Sequence, residues 1–122
     1  VMLDTDELHL GSSIAFTFIE PYPTRLRSLL RGDDAARCRI LEAPVQDVPL
    51  EVFDDLGAND VLFVDSSHVS KFGSDVNHLL FEVLPRLKRG VVVHFHDIFW
   101  PFESRTIAWR NTSSNGTRPF IK

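Results

Sequence analysis

The chain has 122 residues, enough for one hydrophobic core and too few for two independent domains of the usual roughly 100 to 150 residues. Hydrophobic residues make up 43% and charged residues 25%, the composition of a folded chain. Thirteen Lys+Arg against seventeen Asp+Glu leave a formal charge of −4, which excludes the basic footprint of a nucleic-acid or anionic-membrane binder and favours small or neutral ligands.

Strand and helix signals alternate along the chain. Ala15 to Glu20 is aromatic and β-branched and is stopped by Pro21 and Pro23, which cannot donate to a ladder. A helix follows, with Thr24 as its expected cap, Leu26, Leu29 and Leu30 on one face, and Gly32 as its stop. Cys38 to Leu41 reads as a short second strand. A brief helix opens at Pro49, where a missing N–H costs nothing, and carries Leu50, Phe53 and Leu56 on one face before Gly57. Val61 to Val64 is an unbroken apolar run ending in Asp65, the pattern of a strand buried on both faces. From Asp75, the residues Val76, Leu79, Leu80, Val83, Leu84 and Leu87 form the clearest helical stripe. Pro85 is expected to end or kink that helix near Leu84, and Gly90 closes the segment. Val91 to His96 is the fourth strand.

This β-α-β-α-β-α-β order predicts an α/β fold: a doubly wound, mostly parallel, Rossmann-like sheet in three α/β/α layers. Residues 1–103 form the expected domain and 104–122 an irregular, polar, turn-rich tail. Cys38 is the only cysteine, so an intramolecular disulfide is impossible and a reducing compartment fits. No stretch approaches the ~18 apolar residues of a membrane span and the first residues lack a signal-peptide pattern, so the expected location is cytoplasmic.

Ligands of open α/β sheets lie beyond the carboxyl ends of the strands, and here those ends are polar. The first strand ends in Glu20, the second leads to Glu42 and Gln46-Asp47, the third to Asp65-Ser66-Ser67-His68, and the fourth to His96-Asp97. A strand-end carboxylate can accept both hydroxyls of a ribose, and Glu20 is placed to do so.

The segments Phe18-Ile19-Glu20-Pro21-Tyr22-Pro23, Val61 to His68 and Gly90 to Phe99 resemble consecutive core motifs of class I S-adenosylmethionine-dependent methyltransferases. The resemblance covers about residues 1 to 103. It implies that Glu20 binds the cofactor ribose, that Asp47 lies beside the adenine, and that Asp65 also borders the cofactor. Asp65 and Asp97 resemble carboxylates that hold a divalent metal in the catechol-type branch, where magnesium would suit two hard oxygen ligands. The chain departs from that branch at Ile98, where an amide residue is usual. His68 and His96 are the alternative catalytic groups, since an imidazole can take the acceptor proton directly. The implied partner is a small-molecule methyl acceptor, with no nucleic acid and no membrane involved.

Two family features have no counterpart. No Gly-x-Gly occurs anywhere, although the family binds the methionine part of the cofactor with a Gly-rich turn after its first strand. Met2 to Leu10 resembles the helix after that turn, and the final antiparallel strands are unrecognisable. The chain is therefore expected to be a fragment or an inactive remnant. Loss of the central strand would leave an open sheet edge able to self-associate.

Plainer readings compete at several positions. Asp47 can serve as an N-cap for the helix at Pro49. His94 alternates away from Val93 and Phe95 and reads as a hydrogen-bonded structural residue, and His9 and His78 as surface residues. His96 and Asp97 reach one site only if the chain turns between them. Phe99, Trp100 and Phe102 could line a pocket or an apolar interface. A receiver-like domain would need an acidic pair after the first strand and a lysine after the last; a metallohydrolase would need more ligands than His94, His96 and Asp97.

Overall fold

The computed structural model describes residues 2–99 and 103–104, so the tail beyond Ser104, Trp100 and Phe102 lie outside the described residues. The chain divides into two compact units, with the division between Pro49 and Leu50.

The first unit opens with helix α1 (Met2–His9), which ends where Gly11 and Ser12 take left-handed conformations and the Asp6 carbonyl accepts from the Leu10 and Ser12 amides at 2.9 and 3.1 Å. Strand β1 (Phe16–Ile19) pairs in parallel with β2 (Cys38–Leu41), in the register Phe16↔Cys38 to Ile19↔Leu41. The Phe16 and Phe18 rings stack on one face at 6.1 Å, as a period of two requires. Helix α2 (Thr24–Leu29) begins one residue earlier than its expected cap allows: Pro23 holds the N-cap position and no side chain caps it. The helix also stops before Gly32, because Leu30 is already extended, and the left-handed Gly32 instead opens a turn into a single-turn helix α3 (Asp34–Arg37) that periodicity did not signal. One helical turn is too short to show a stripe.

This unit is held at its centre by a charge. Asp6 is fully buried, its Oδ1 accepts from the Ser13 and Ile14 amides at 3.0 and 3.2 Å, and its Oδ2 pairs with the Arg37 guanidinium. A buried carboxylate is tolerable only when paired and hydrogen-bonded in this way. One side chain thus ties α1, the loop after it and α3 together.

In the second unit, helix α4 (Glu51–Asp54) carries the buried Phe53, and Asp54 receives a two-pronged bond from Arg86. Strands β3 (Val61–Val64) and β4 (Val92–Phe95) pair in parallel, Val61↔Val92 to Val64↔Phe95. Gly90, at φ +94°, accepts from the Asn59 amide at 2.9 Å and passes so close to Ala58 that a Cβ would stand 2.8 Å from that methyl. The helical stripe is present but is not regular: α5 (Asp75–His78) widens into a π turn at Leu79–Val83 and tightens to a 3-10 turn at Leu84–Arg86. Pro85 has no amide to donate and its ring crowds the carbonyl four residues back, so the turn before it widens and, in keeping with the expected end or kink, regular α-helix gives way to a 3-10 turn at Leu84. Leu79 and Val83 are buried along it, whereas Leu80 is exposed. A short antiparallel pair, β5 (Ile98–Phe99) with β6 (Glu103–Ser104), follows β4 and was not legible in the sequence.

The fold is α/β with parallel strands linked through helices, in keeping with a Rossmann-like arrangement. Among the described residues, however, each parallel sheet has two strands. The expectation that β3 is buried on both faces is corrected: Val64 is buried on one side, while Val61, Phe63 and Val92 on the other are exposed. An apolar run does not distinguish one covered face from two.

Candidate functional site

The candidate residues gather at the carboxyl ends of the two parallel sheets. In the first unit, Glu20 continues β1 by donating its amide to the Leu41 carbonyl at 3.0 Å, and its Oε1 accepts from the Tyr22 amide at 2.9 Å. That bond folds Pro21-Tyr22 back over the strand end and fixes the carboxylate. Asp47 lies in a 3-10 turn (Val45–Asp47), exposed, after β2. It does not cap the next helix, because Leu50 occupies the N-cap position and no side chain bonds there. The capping explanation for Asp47 is thereby removed. Glu42, also after β2, is engaged by Arg27 at 2.8 Å. Burial raises the Cys38 thiol pKa, Asp34 adds to the rise, and Arg37 opposes it only in part, a balance that disfavours the thiolate.

In the second unit, the His96 amide donates to the Val64 carbonyl at 2.8 Å, so Asp65 and His96 leave the sheet side by side. The His68 ring returns to this edge, with Nε2 at 3.0 Å from the His96 carbonyl oxygen and 4.0 Å from Asp65 Oδ1. The chain turns at His96-Asp97, with Asp97 left-handed at φ +57°, and places Asp97 Oδ1 3.8 Å from His96 Nε2. The condition for His96 and Asp97 to share a site is met. His68 is itself left-handed at φ +58°. Two non-glycine residues in this region, one on each strand end, mark conformations that the surroundings must hold.

What holds His68 was not singled out from the sequence. Asp75 accepts from the Ser67 amide at 2.6 Å and the Ser67 hydroxyl at 2.5 Å, clamping the residue before His68. Burial pushes the Asp75 pKa up, but its bonds from Ser67 and Val76 outweigh burial and leave it below the ordinary value. Ser74 caps α5 by accepting from the Asn77 amide at 3.2 Å and is buried. The signal was present as Ser-Asp at the start of the stripe, a helix N-terminus that folds back on its own loop.

His94 departs from its expected structural role. It does alternate away from Val93 and Phe95, but the face it joins is open, and its ring stacks on Phe63 at 4.7 Å. His9 is exposed as expected, whereas His78 is partly buried with Nε2 enclosed and unpartnered.

A magnesium site is not supported. Asp65 and Asp97 supply two carboxylates, and among the described residues no group of three or more His, Cys, Asp or Glu side chains comes together around a cation. Nor does any helix of the described residues have the length and apolarity to cross a membrane.

A family model described as a methyltransferase domain matches residues 4–98, most of the chain, and spans both groups of strand ends. No curated protein and no solved structure matches the chain. The match agrees with the class I motifs read at Glu20, Asp65 to His68 and His96-Asp97 and implies S-adenosylmethionine use in general. The chain belongs to the methyltransferase-domain family.

Proposed function

We propose that this chain carries the nucleoside-binding and acceptor-activating parts of an S-adenosylmethionine-dependent methyltransferase that acts on an oxygen or nitrogen of a small molecule. The cofactor, when bound, supplies an electrophilic methyl carbon on a sulfonium. Glu20 would accept the ribose hydroxyls through Oε2, since Oε1 is already committed to Tyr22. Asp47 stands free of helix capping for the adenine edge, and the resemblance gives Asp65 a cofactor-binding role of its own at the end of β3.

The contact that carries the reading is the 3.0 Å approach of His68 Nε2 to the His96 carbonyl. A carbonyl only accepts, so Nε2 must bear the hydrogen and donate, and the neutral ring keeps its lone pair on Nδ1. His68 Nδ1 would take the proton that the acceptor O–H or N–H gives up as its new bond to the methyl carbon forms and the sulfonium bond breaks. The resulting imidazolium lies 4.0 Å from the Asp65 carboxylate, which favours its charge. His96 then acts as a positioning residue through its carbonyl. No step runs through a metal.

The six glycines include no Gly-x-Gly, so nothing in this sequence matches the cradle for the methionine half of the cofactor. The second reading is a remnant with the fold but no complete cofactor site within these 122 residues. Among the described residues, β1 and β3 each have one strand neighbour, an open edge through which chains could self-associate in the cytoplasm. Calorimetric titration of the 122-residue chain is expected to show S-adenosylmethionine binding weaker than micromolar, weakened further by Glu20→Ala. Micromolar binding would refute the incomplete-cradle part, and indifference to Glu20→Ala would refute the ribose assignment.

A further inference from the structure

We infer that His94 and His96 form a two-histidine chelate for a borderline divalent transition cation, Cu2+ foremost, on the open face of the β3–β4 sheet. Residues two apart on a strand share a face, and Phe95 between them points to the other side. Both histidines are exposed, their ring centroids are 6.0 Å apart, and the ring planes are inclined by 35°. A cation about 2.0–2.1 Å from one nitrogen of each ring, with a ring radius of about 1.1 Å, sets the centroids roughly 4.5 to 5.2 Å apart for bond angles between square and tetrahedral. The rings must close by about 1 Å, which small side-chain rotations of exposed residues supply.

The surroundings favour this. Phe63 lies beneath both rings, 4.7 Å from His94 and 5.5 Å from His96, and limits the freedom they would lose on binding. Asp97 Oδ1, 3.8 Å from His96 Nε2, places a negative charge beside the pair. Two imidazoles select Cu2+, Ni2+ or Zn2+ over Mg2+, with Cu2+ strongest in the Irving–Williams order. With no third protein ligand among the described residues, water fills the remaining positions and the cation exchanges readily. The site is separate from the acceptor base, since His68 meets His96 through the backbone carbonyl and not through the ring.

Titration of the untagged full-length chain with Cu2+ alone, followed by calorimetry and electron paramagnetic resonance, tests the assignment. One Cu2+ per chain is expected, with nitrogen hyperfine structure from two imidazoles, competed by Zn2+ only in large excess and not by excess Mg2+. His94→Asn and His96→Asn should each weaken binding by at least the roughly tenfold that losing a mere outer partner costs at metal sites, and His9→Asn should not. A one-imidazole spectrum of the unmodified chain, or equal weakening by His9→Asn, would overturn the assignment without relying on the folding of any variant.

Discussion

Replacing Asp6 by Asn removes the charge at the centre of the first unit while preserving its shape. The lost interaction is specific: Oδ2 pairs with Arg37, and Oδ1 receives two backbone amides. Breaking a buried ion pair from one side costs about 3–5 kcal/mol, because the remaining charge is stranded. The Asp6 side chain is 0% exposed and that of Arg37 22%, so the stranded guanidinium recovers part of its hydration and the loss belongs at the lower end, about 3 kcal/mol. With a urea slope of about 1.5 kcal/mol/M, the unfolding midpoint followed by far-ultraviolet circular dichroism should fall by about 2 M. Asp6→Ala should cost a further ~1–2 kcal/mol, because the Ser13 and Ile14 amides then lose their acceptor as well. A midpoint shift below about 0.5 M for Asp6→Asn would show that the pair does not hold the unit together.

Gly90→Ala should destabilise by about 2 kcal/mol or more in urea melts, since it combines a left-handed backbone with a Cβ 2.8 Å from Ala58. Phe53→Ala, at a side chain only 3% exposed, should cost about 3–5 kcal/mol, and a loss under about 1 kcal/mol would place Phe53 outside the core. Asp75 has a folded pKa below its ordinary 3.8, so its contribution to stability is complete above that value and is lost as the pH falls through the folded one. The stability difference between the wild type and Asp75→Asn should therefore be constant near neutrality and shrink as the pH falls below 3.8; a difference unchanged by acid would contradict the Ser67 clamp. In a reconstituted transfer assay, His68→Gln should lower kcat and abolish the rising limb of its pH profile, with an unchanged profile refuting the base assignment.

Strands were legible because an apolar run of four to six residues bounded by proline or glycine has few other uses, and all four recur within two residues of their expected limits. The polar strand ends, Glu20, Asp65 and His96-Asp97, were legible for the same reason: each is the polar position that closes a largely apolar run. Helix boundaries were less so. Thr24 did not cap α2, and the regular α-helix before Pro85 already ends at His78, with a widened turn over Leu79–Val83 that keeps Leu79 and Val83 buried.

The amino-acid order by itself determined the alternation of strands and helices and the family, since both follow from local periodicity and from motifs contiguous in the chain. Only the tertiary structure decided the buried Asp6–Arg37 pair, the Asp75 clamp on Ser67, the approach of His68 to the His96 carbonyl and the open face bearing Phe63, His94 and His96. Each of these joins residues between two and 33 positions apart, and which face of a strand is covered depends on what packs against it. A side chain's partner is set by the path of the backbone between them, and that path is a property of the folded chain.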